Sequence, residues 1–245
     1  MILLKNEKVL IFNNPKCGTT SVRDYIKPYS VDLKAIRFWS PRSNYEYYND
    51  LQLEVIKSKQ KNGAVILDQE NKPNYFSTIH GHITPLEVSV ILKSSLEESL
   101  VYPFNDYDKI CFTRNPWARV YSLWKMVGLH NLGFKNFKDF VGNLDEILHC
   151  NPYPVVRHVI NGTKHFISDT QGNIIVDRIF KIENTIEFMD YMLEKYNIPH
   201  GKFSHKNSRI SNFPTYISQY NSNTIKIIES RYQWEIDYFN YKFGE

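Results

Sequence analysis

Apolar and polar residues alternate in two rhythms along this chain. The run Val9-Leu10-Ile11-Phe12, inside Lys8 to Asn14, is continuously apolar and of strand length, the pattern of a buried strand. From Thr19 to Ile26 the spacing turns helical. Residues 28–63 are mixed and rich in Tyr, Ser and Lys, with an amphipathic piece near Asp50 to Lys57. Short strands are predicted at "AVILD" and "YFSTIHG". Thr84-Pro85-Leu86-Glu87 then reads as a helix start, with Thr as cap, Pro at the first position and Glu at the third. "DKICFTR" is a further strand, and Pro116 opens the helix "PWARVYSLWKMV", whose Val120, Leu123, Trp124 and Val127 share one face.

Beyond it, residues 128–165 lack a clear period, carry "NPYPVVRH" and read as an irregular surface lobe. "HFISDTQGNIIVD" predicts a hairpin turning at Gln171-Gly172-Asn173. "NTIEFMDYMLEKYNI" is a capped helix, and a last helix runs from Asn223 toward Tyr238. Strands alternating with helices, with no repeats or low-complexity tract, predict one α/β domain over residues 1–245 with a mainly parallel sheet.

Bulk chemistry narrows this picture only slightly. A formal net charge of +4 suits an anionic ligand and is too small to argue for nucleic acid. The three cysteines, Cys17, Cys111 and Cys150, are widely spaced, which fits neither a disulfide framework nor a metal site. "MILLKNEKVLIF" meets charge after four residues, so it reads as neither a signal peptide nor a membrane anchor, and a soluble cytoplasmic protein is expected.

The chemistry concentrates in "PKCGTTS", Pro15 to Ser21. A turn leaving a strand and entering a helix presents unbonded backbone N–H groups, and with the helix dipole they attract an anion. Gly18 permits close backbone approach, Thr19, Thr20 and Ser21 add hydroxyls, and Lys16 adds a charge. A nucleoside-triphosphate loop has its lysine after the second glycine and its Ser or Thr on Mg²⁺. Here Lys16 precedes Gly18 and the first glycine is missing. The plain structural reading is an ordinary strand-to-helix turn with a surface lysine. Cys17, at a helix N-terminus, is either a thiol of lowered pKa or simply a small loop residue.

"PKCGTTS" resembles the 5′-phosphosulfate loop of sulfotransferases, whose donor is 3′-phosphoadenosine 5′-phosphosulfate (PAPS) and whose product is PAP. "FTRNPWARVYSLW" is similar to that family's 3′-phosphate element, and the resemblance assigns Arg114 and, eight residues on, Ser122 to the ribose 3′-phosphate. Taken singly, Arg114 reads as a capping or salt-bridging arginine and Ser122 as a helix-surface serine. "GHITPLEV", "QGNIIVDRIFKIENT", "HKNSR" and "YQWEIDYFNYKF" resemble further segments of the carbohydrate-acting branch, in order, from residue 9 to residue 243. Asn115 stands where many members carry an acid, and Lys181 where arginine is usual, which leaves the local ion pairing open. The resemblance implies a P-loop-like three-layer α/β/α fold and a donor site of Pro15, Lys16, Cys17, Gly18, Thr19, Thr20, Ser21, Arg114 and Ser122. It also implies an acceptor that is a glycan, glycolipid or small glycoside; Golgi relatives carry an N-terminal membrane anchor and none is read here, so a bacterial or viral source is expected.

Sulfuryl transfer needs a cation at the leaving oxygen, donors around the sulfuryl group and a base on the acceptor. Lys16 is the expected cation and no metal is required. His80 and His82, flanking Gly81, are the candidate bases, since imidazole titrates near neutrality. The resemblance aligns His82 with the catalytic position. A metal-binding pair is the rival reading, but no third ligand accompanies it; capping or core histidines are the plain one. Glu183 either orients a basic side chain or forms a structural ion pair. His205, Asn207, Ser208 and Arg209 form either a loop over the nucleotide or a solvated turn. Two other classes stay open: a small-molecule or nucleotide kinase, and a non-catalytic adenylate- or glycan-binding module.

Overall fold

The computed structural model describes residues 2–4, 7–30, 66–67, 73–74, 82, 84–94, 104–128, 134–150, 154–203 and 215–245. The expected amphipathic piece at 50–57, the strand at 75–81, His80 and the polar loop at 205–209 lie outside the described residues. In chain order the elements begin with β1 (Ile2–Leu3), β2 (Val9–Phe12), α1 (Thr19–Ile26), β3 (Ile66–Leu67), β4 (Pro73–Asn74) and α2 (Pro85–Ser94). There follow β5 (Asp108–Thr113), α3 (Pro116–Leu123), α4 (Phe137–Gly142), α5 (Leu144–Cys150) and α6 (Pro154–Ile167). The last are β6 (Arg178–Lys181), α7 (Thr185–Tyr196), α8 (Ser222–Arg231) and α9 (Gln233–Phe239).

The chain is mainly helical around a small sheet of order β1-β2-β5-β6. β2 and β5 are parallel, with Val9 opposite Asp108 and Phe12 opposite Cys111. β6 runs the same way: the Asp177 N–H donates to the Lys109 carbonyl at 2.8 Å, and the Ile182 N–H to the Thr113 carbonyl at 3.0 Å. β1 closes one edge antiparallel to β2. All four residues of β2 are buried, as an apolar run without a polar break requires. The strand-helix alternation read from sequence is therefore an α/β fold with a parallel sheet. Among the described residues no helix is long and apolar enough to cross a membrane.

Two compact units divide the chain. The first comprises Met1–Asn13, Ile26–Cys111 and Ile167–Ile179. Its core gathers Leu4, Val9, Leu10, Ile11, Tyr107, Ile110 and Val176. Lys109 is buried there because its charge is answered: Nζ donates to Asp177 Oδ2 at 2.8 Å and to the Tyr107 carbonyl at 2.7 Å. α2 starts as predicted, with the Thr84 N–H donating to Glu87 Oε2 (2.7 Å) and the Glu87 N–H to Thr84 Oγ1 (3.2 Å), a reciprocal capping box. The expected hairpin is reduced to a single bridge between Ser168 and Ile174, because the residues before it belong to α6.

The second unit comprises Asn14–Tyr25, Phe112–Phe166 and Phe180–Glu245. Phe112, Phe180 and Phe188 pack in its centre, Phe112 meeting Phe188 edge-on with centroids 4.8 Å apart. α3 buries the predicted face of Val120 and Leu123, then loosens into a π-helical turn over Trp124–Gly128, where Trp124 and Val127 are also buried. The irregular lobe expected over 128–165 is a correction: α4, α5 and α6 occupy most of it. Phe137, Phe140, Val141, Leu144 and Ile147 carry a helical period and are buried. Gly142-Asn143 and Pro152-Tyr153-Pro154 interrupt that period in sequence and concealed it. The last helix is likewise two, capped at Asn221 and divided at Tyr232.

Candidate anion-binding site

β2 ends at Phe12, and the chain turns sharply before α1. Two residues of that turn have left-handed backbones, Lys16 with φ 64° and Gly18 with φ 70°. At Lys16 this conformation costs about 1–2 kcal/mol relative to a right-handed residue, so its surroundings must hold it. The Arg114 guanidinium at the end of β5 does so, Nη1 donating to the Lys16 carbonyl at 3.0 Å. At Gly18 a side chain is excluded twice, by φ and because a Cβ would lie 2.3 Å from Ile182 Cγ1. Among the described residues, the backbone N–H groups of Lys16, Gly18 and Thr19 have no backbone acceptor. No acidic residue stands in the first turn of α1 to answer its positive end. These are the makings of an anion cradle.

The cations nearby strengthen it. Lys16 is half-buried, and its pKa lies below the ordinary 10.5 because burial disfavours the ammonium and because Arg114 and Lys125 repel it. Lys16 Nζ lies 3.8 Å from the thioether of Met126 on the π-helical turn. Ser122 is half-buried on α3. Cys17 is not a reactive thiol. It is wholly buried, and burial pushes its pKa up to about 12, outweighing the opposing pull of Arg119 and Arg114.

Glu183 is bonded to the residue that follows Arg114, and among the described residues no ion pair is seen for it. Its Oε1 accepts the Asn115 backbone N–H at 2.8 Å, directly after Arg114, and its Oε2 lies 3.5 Å from the Tyr241 hydroxyl. Lys181 sits over the Tyr241 ring, 4.8 Å from its centroid. In the first unit, His82 Nδ1–H donates to the Asn13 carbonyl at 2.8 Å, so Nε2 is the unprotonated nitrogen of the neutral ring.

Beneath the loop lies a polar network that the sequence reading missed. Arg119, fully buried, makes a forked pair with Glu235, Nη1 to Oε2 at 2.5 Å and Nη2 to Oε1 at 2.8 Å. Burial alone would disfavour its charge, but the Glu235 carboxylate more than offsets that and raises its pKa above the usual arginine value. Arg119 Nη1 also donates to Thr163 Oγ1 at 2.7 Å, and the Thr163 N–H donates to Glu235 Oε1 at 2.7 Å. Asn14 Nδ2, at the foot of the loop, donates to the same Thr163 oxygen (3.2 Å) and to the Phe112 carbonyl (3.1 Å). One signal pointed to the pair: Arg119 is the lone charge in the otherwise largely apolar run of α3.

No family model, curated protein or solved structure matches the chain.

Proposed function

We propose that the chain is a sulfotransferase that moves a sulfuryl group from PAPS to a hydroxyl of a carbohydrate or glycoconjugate, on a P-loop-like three-layer α/β/α fold. One observation carries this reading. The two segments that resemble the family's 5′-phosphosulfate and 3′-phosphate elements are joined by the Arg114–Lys16 hydrogen bond. The donor set fits a nucleotide with phosphates at both ends of its ribose: unbonded loop N–H groups, the Thr19, Thr20 and Ser21 hydroxyls, the Lys16 ammonium, and a guanidinium with further N–H groups beyond the one given to Lys16.

When bound, the phosphosulfate supplies the sulfuryl group that passes to the acceptor oxygen. Lys16 and the loop donors bind the 5′ end and answer negative charge as it gathers on the phosphate, which calls for a cation and no metal. Arg114 and Ser122 orient the nucleotide through its 3′-phosphate. Nε2 of His82 takes the acceptor proton, with the ring held by Asn13 in the required tautomer. His80 serves the geometry of the same loop. The acceptor is a glycan, glycolipid or small glycoside, and the setting cytoplasmic, in a bacterial or viral source. A kinase remains the second reading on account of the loop, and the position of Lys16 ahead of Gly18 speaks against it. A non-catalytic adenylate- or glycan-binding module would keep the loop without using His82.

The test is transfer of label from [³⁵S]PAPS to a panel of glycosides, glycolipids and polysaccharides with a chelator present. Labelled acceptor and stoichiometric PAP are expected. Label that stays in the donor across the panel, with intact PAPS bound, would favour the binding module.

A further inference from the structure

Asn115 follows Arg114, is almost wholly buried, and has every polar group engaged. Its N–H donates to Glu183 Oε1 at 2.8 Å, and its carbonyl accepts the Arg119 N–H at 2.9 Å. The side-chain Oδ1 accepts the Ala118 N–H at 3.4 Å, capping α3. On its other side Nδ2 donates to the Lys242 carbonyl at 2.9 Å, with the main-chain oxygen of Glu245 at 3.5 Å. These partners fix the amide's orientation, because a backbone N–H requires the oxygen and a carbonyl requires the nitrogen. An aspartate has the same shape and caps a helix equally well, yet it has nothing to donate to Lys242.

We infer that Asn115 is a positioning residue: by clasping the Tyr241–Glu245 segment to the turn after Arg114, it sets the guanidinium for the nucleotide's 3′-phosphate. The asparagine thereby does in this chain what a carboxylate cannot. The segment has other holds on the same unit. Phe243 packs edge-on against Trp117 with centroids 5.7 Å apart, the Gly244 N–H donates to the Tyr216 hydroxyl at 3.0 Å, and that hydroxyl donates to the main-chain oxygen of Glu245 at 2.8 Å. Loss of the Asn115 amide therefore loosens one edge of the segment without releasing it. Glu183 completes the clasp from the opposite side of the turn.

The inference rests on Arg114 binding the 3′-phosphate, and its test keeps the two apart. PAP and AMP differ only by that phosphate, so calorimetry with each, without metal, reads the contribution of the Arg114 turn. Asn115→Ser keeps a neutral helix cap and is too short to reach Lys242. Asn115→Asp keeps the shape and loses the donor, and it serves if the serine variant does not fold. In either variant the PAP-to-AMP affinity ratio is expected to fall about threefold to tenfold, the range carried through coupled networks of this kind. AMP affinity should stay within about twofold, and amide exchange over 241–245 should rise. A serine variant with the wild-type ratio and wild-type exchange overturns the inference. Wild-type protein that binds PAP no better than AMP would overturn the role of Arg114 instead, and the exchange comparison would still decide the clasp.

Discussion

Arg114 Nη1 and the Lys16 carbonyl oxygen are 3.0 Å apart, so the end of β5 holds a loop that lies 98 residues earlier in the chain. The bond gives one guanidinium two tasks. It steadies a left-handed lysine, and in the proposed reading it binds the 3′-phosphate. Arg114→Ala should therefore weaken PAP by roughly 2 kcal/mol or more, the scale of a charge-assisted contact. AMP should weaken less, though measurably, because the Lys16 carbonyl also loses its donor. Calorimetry with both ligands checks this, and equal losses would reduce Arg114 to its structural task.

Lys16→Ala should lower turnover far more than PAP affinity, since the charge it answers grows in the transition state. A collapse of PAP binding with turnover intact at saturation would make Lys16 a plain anchor. The pH dependence has a definite sign. Burial and the charges of Arg114 and Lys125 lower its pKa, so the free protein loses this proton below pH 10.5. The alkaline limb of kcat/KM should fall below the ordinary lysine range, and Lys16→Arg should move it upward. For stability, the folded chain binds fewer protons at this group than the unfolded chain. The cost of a charged Lys16 is thus relieved as pH rises from the depressed pKa toward 10.5.

His82→Ala should abolish transfer, by about 10² to 10⁴ in rate, and leave PAP binding within about threefold. The variant should also lose the acidic limb of the pH–rate profile, whereas His80→Ala should do less. Were His80→Ala inactive and His82→Ala fully active, the base would be reassigned to His80.

The Arg119–Glu235 pair predicts a stability effect separate from chemistry. Arg119→Met or Glu235→Gln leaves a buried partner unanswered and should cost about 3–5 kcal/mol in urea unfolding. Replacing both with apolar residues should recover much of that loss. Gly162 gives a second readout, because with φ 88° and a Cβ 2.3 Å from Glu235 Oε1, Gly162→Ala should strain the same pair.

Local chemistry was readable where sequence neighbours decide the structure. β2 and α1 follow from an apolar run and a helical spacing on either side of a turn, and α2 from a four-residue cap. Asn14 and Thr163 stand 149 residues apart, so no local pattern could announce their hydrogen bond. α6 was hidden for a different reason: Gly162 sits inside it with a non-helical backbone, and Pro154 opens it after a proline-rich stretch that read as loop. Of the candidate residues, Lys16, Gly18, Thr19, Thr20, Ser21, Arg114 and Ser122 could be nominated from sequence because each can offer an anion a charge, a hydroxyl or a closely approached backbone N–H. Asn115 and Glu183 were legible only as a departure and an ambiguity, since their partners are distant in the chain and several are backbone groups that carry no sequence signature.

The donor itself is the most direct test of the proposed function. Calorimetry of the purified protein should be run with PAP in chelator, and with ADP and ATP in Mg²⁺. Tight metal-independent binding of PAP, with ADP and ATP much weaker, is the predicted result. ATP bound tightly only with Mg²⁺, and PAP no better than ADP, would contradict it and return the loop to the kinase reading.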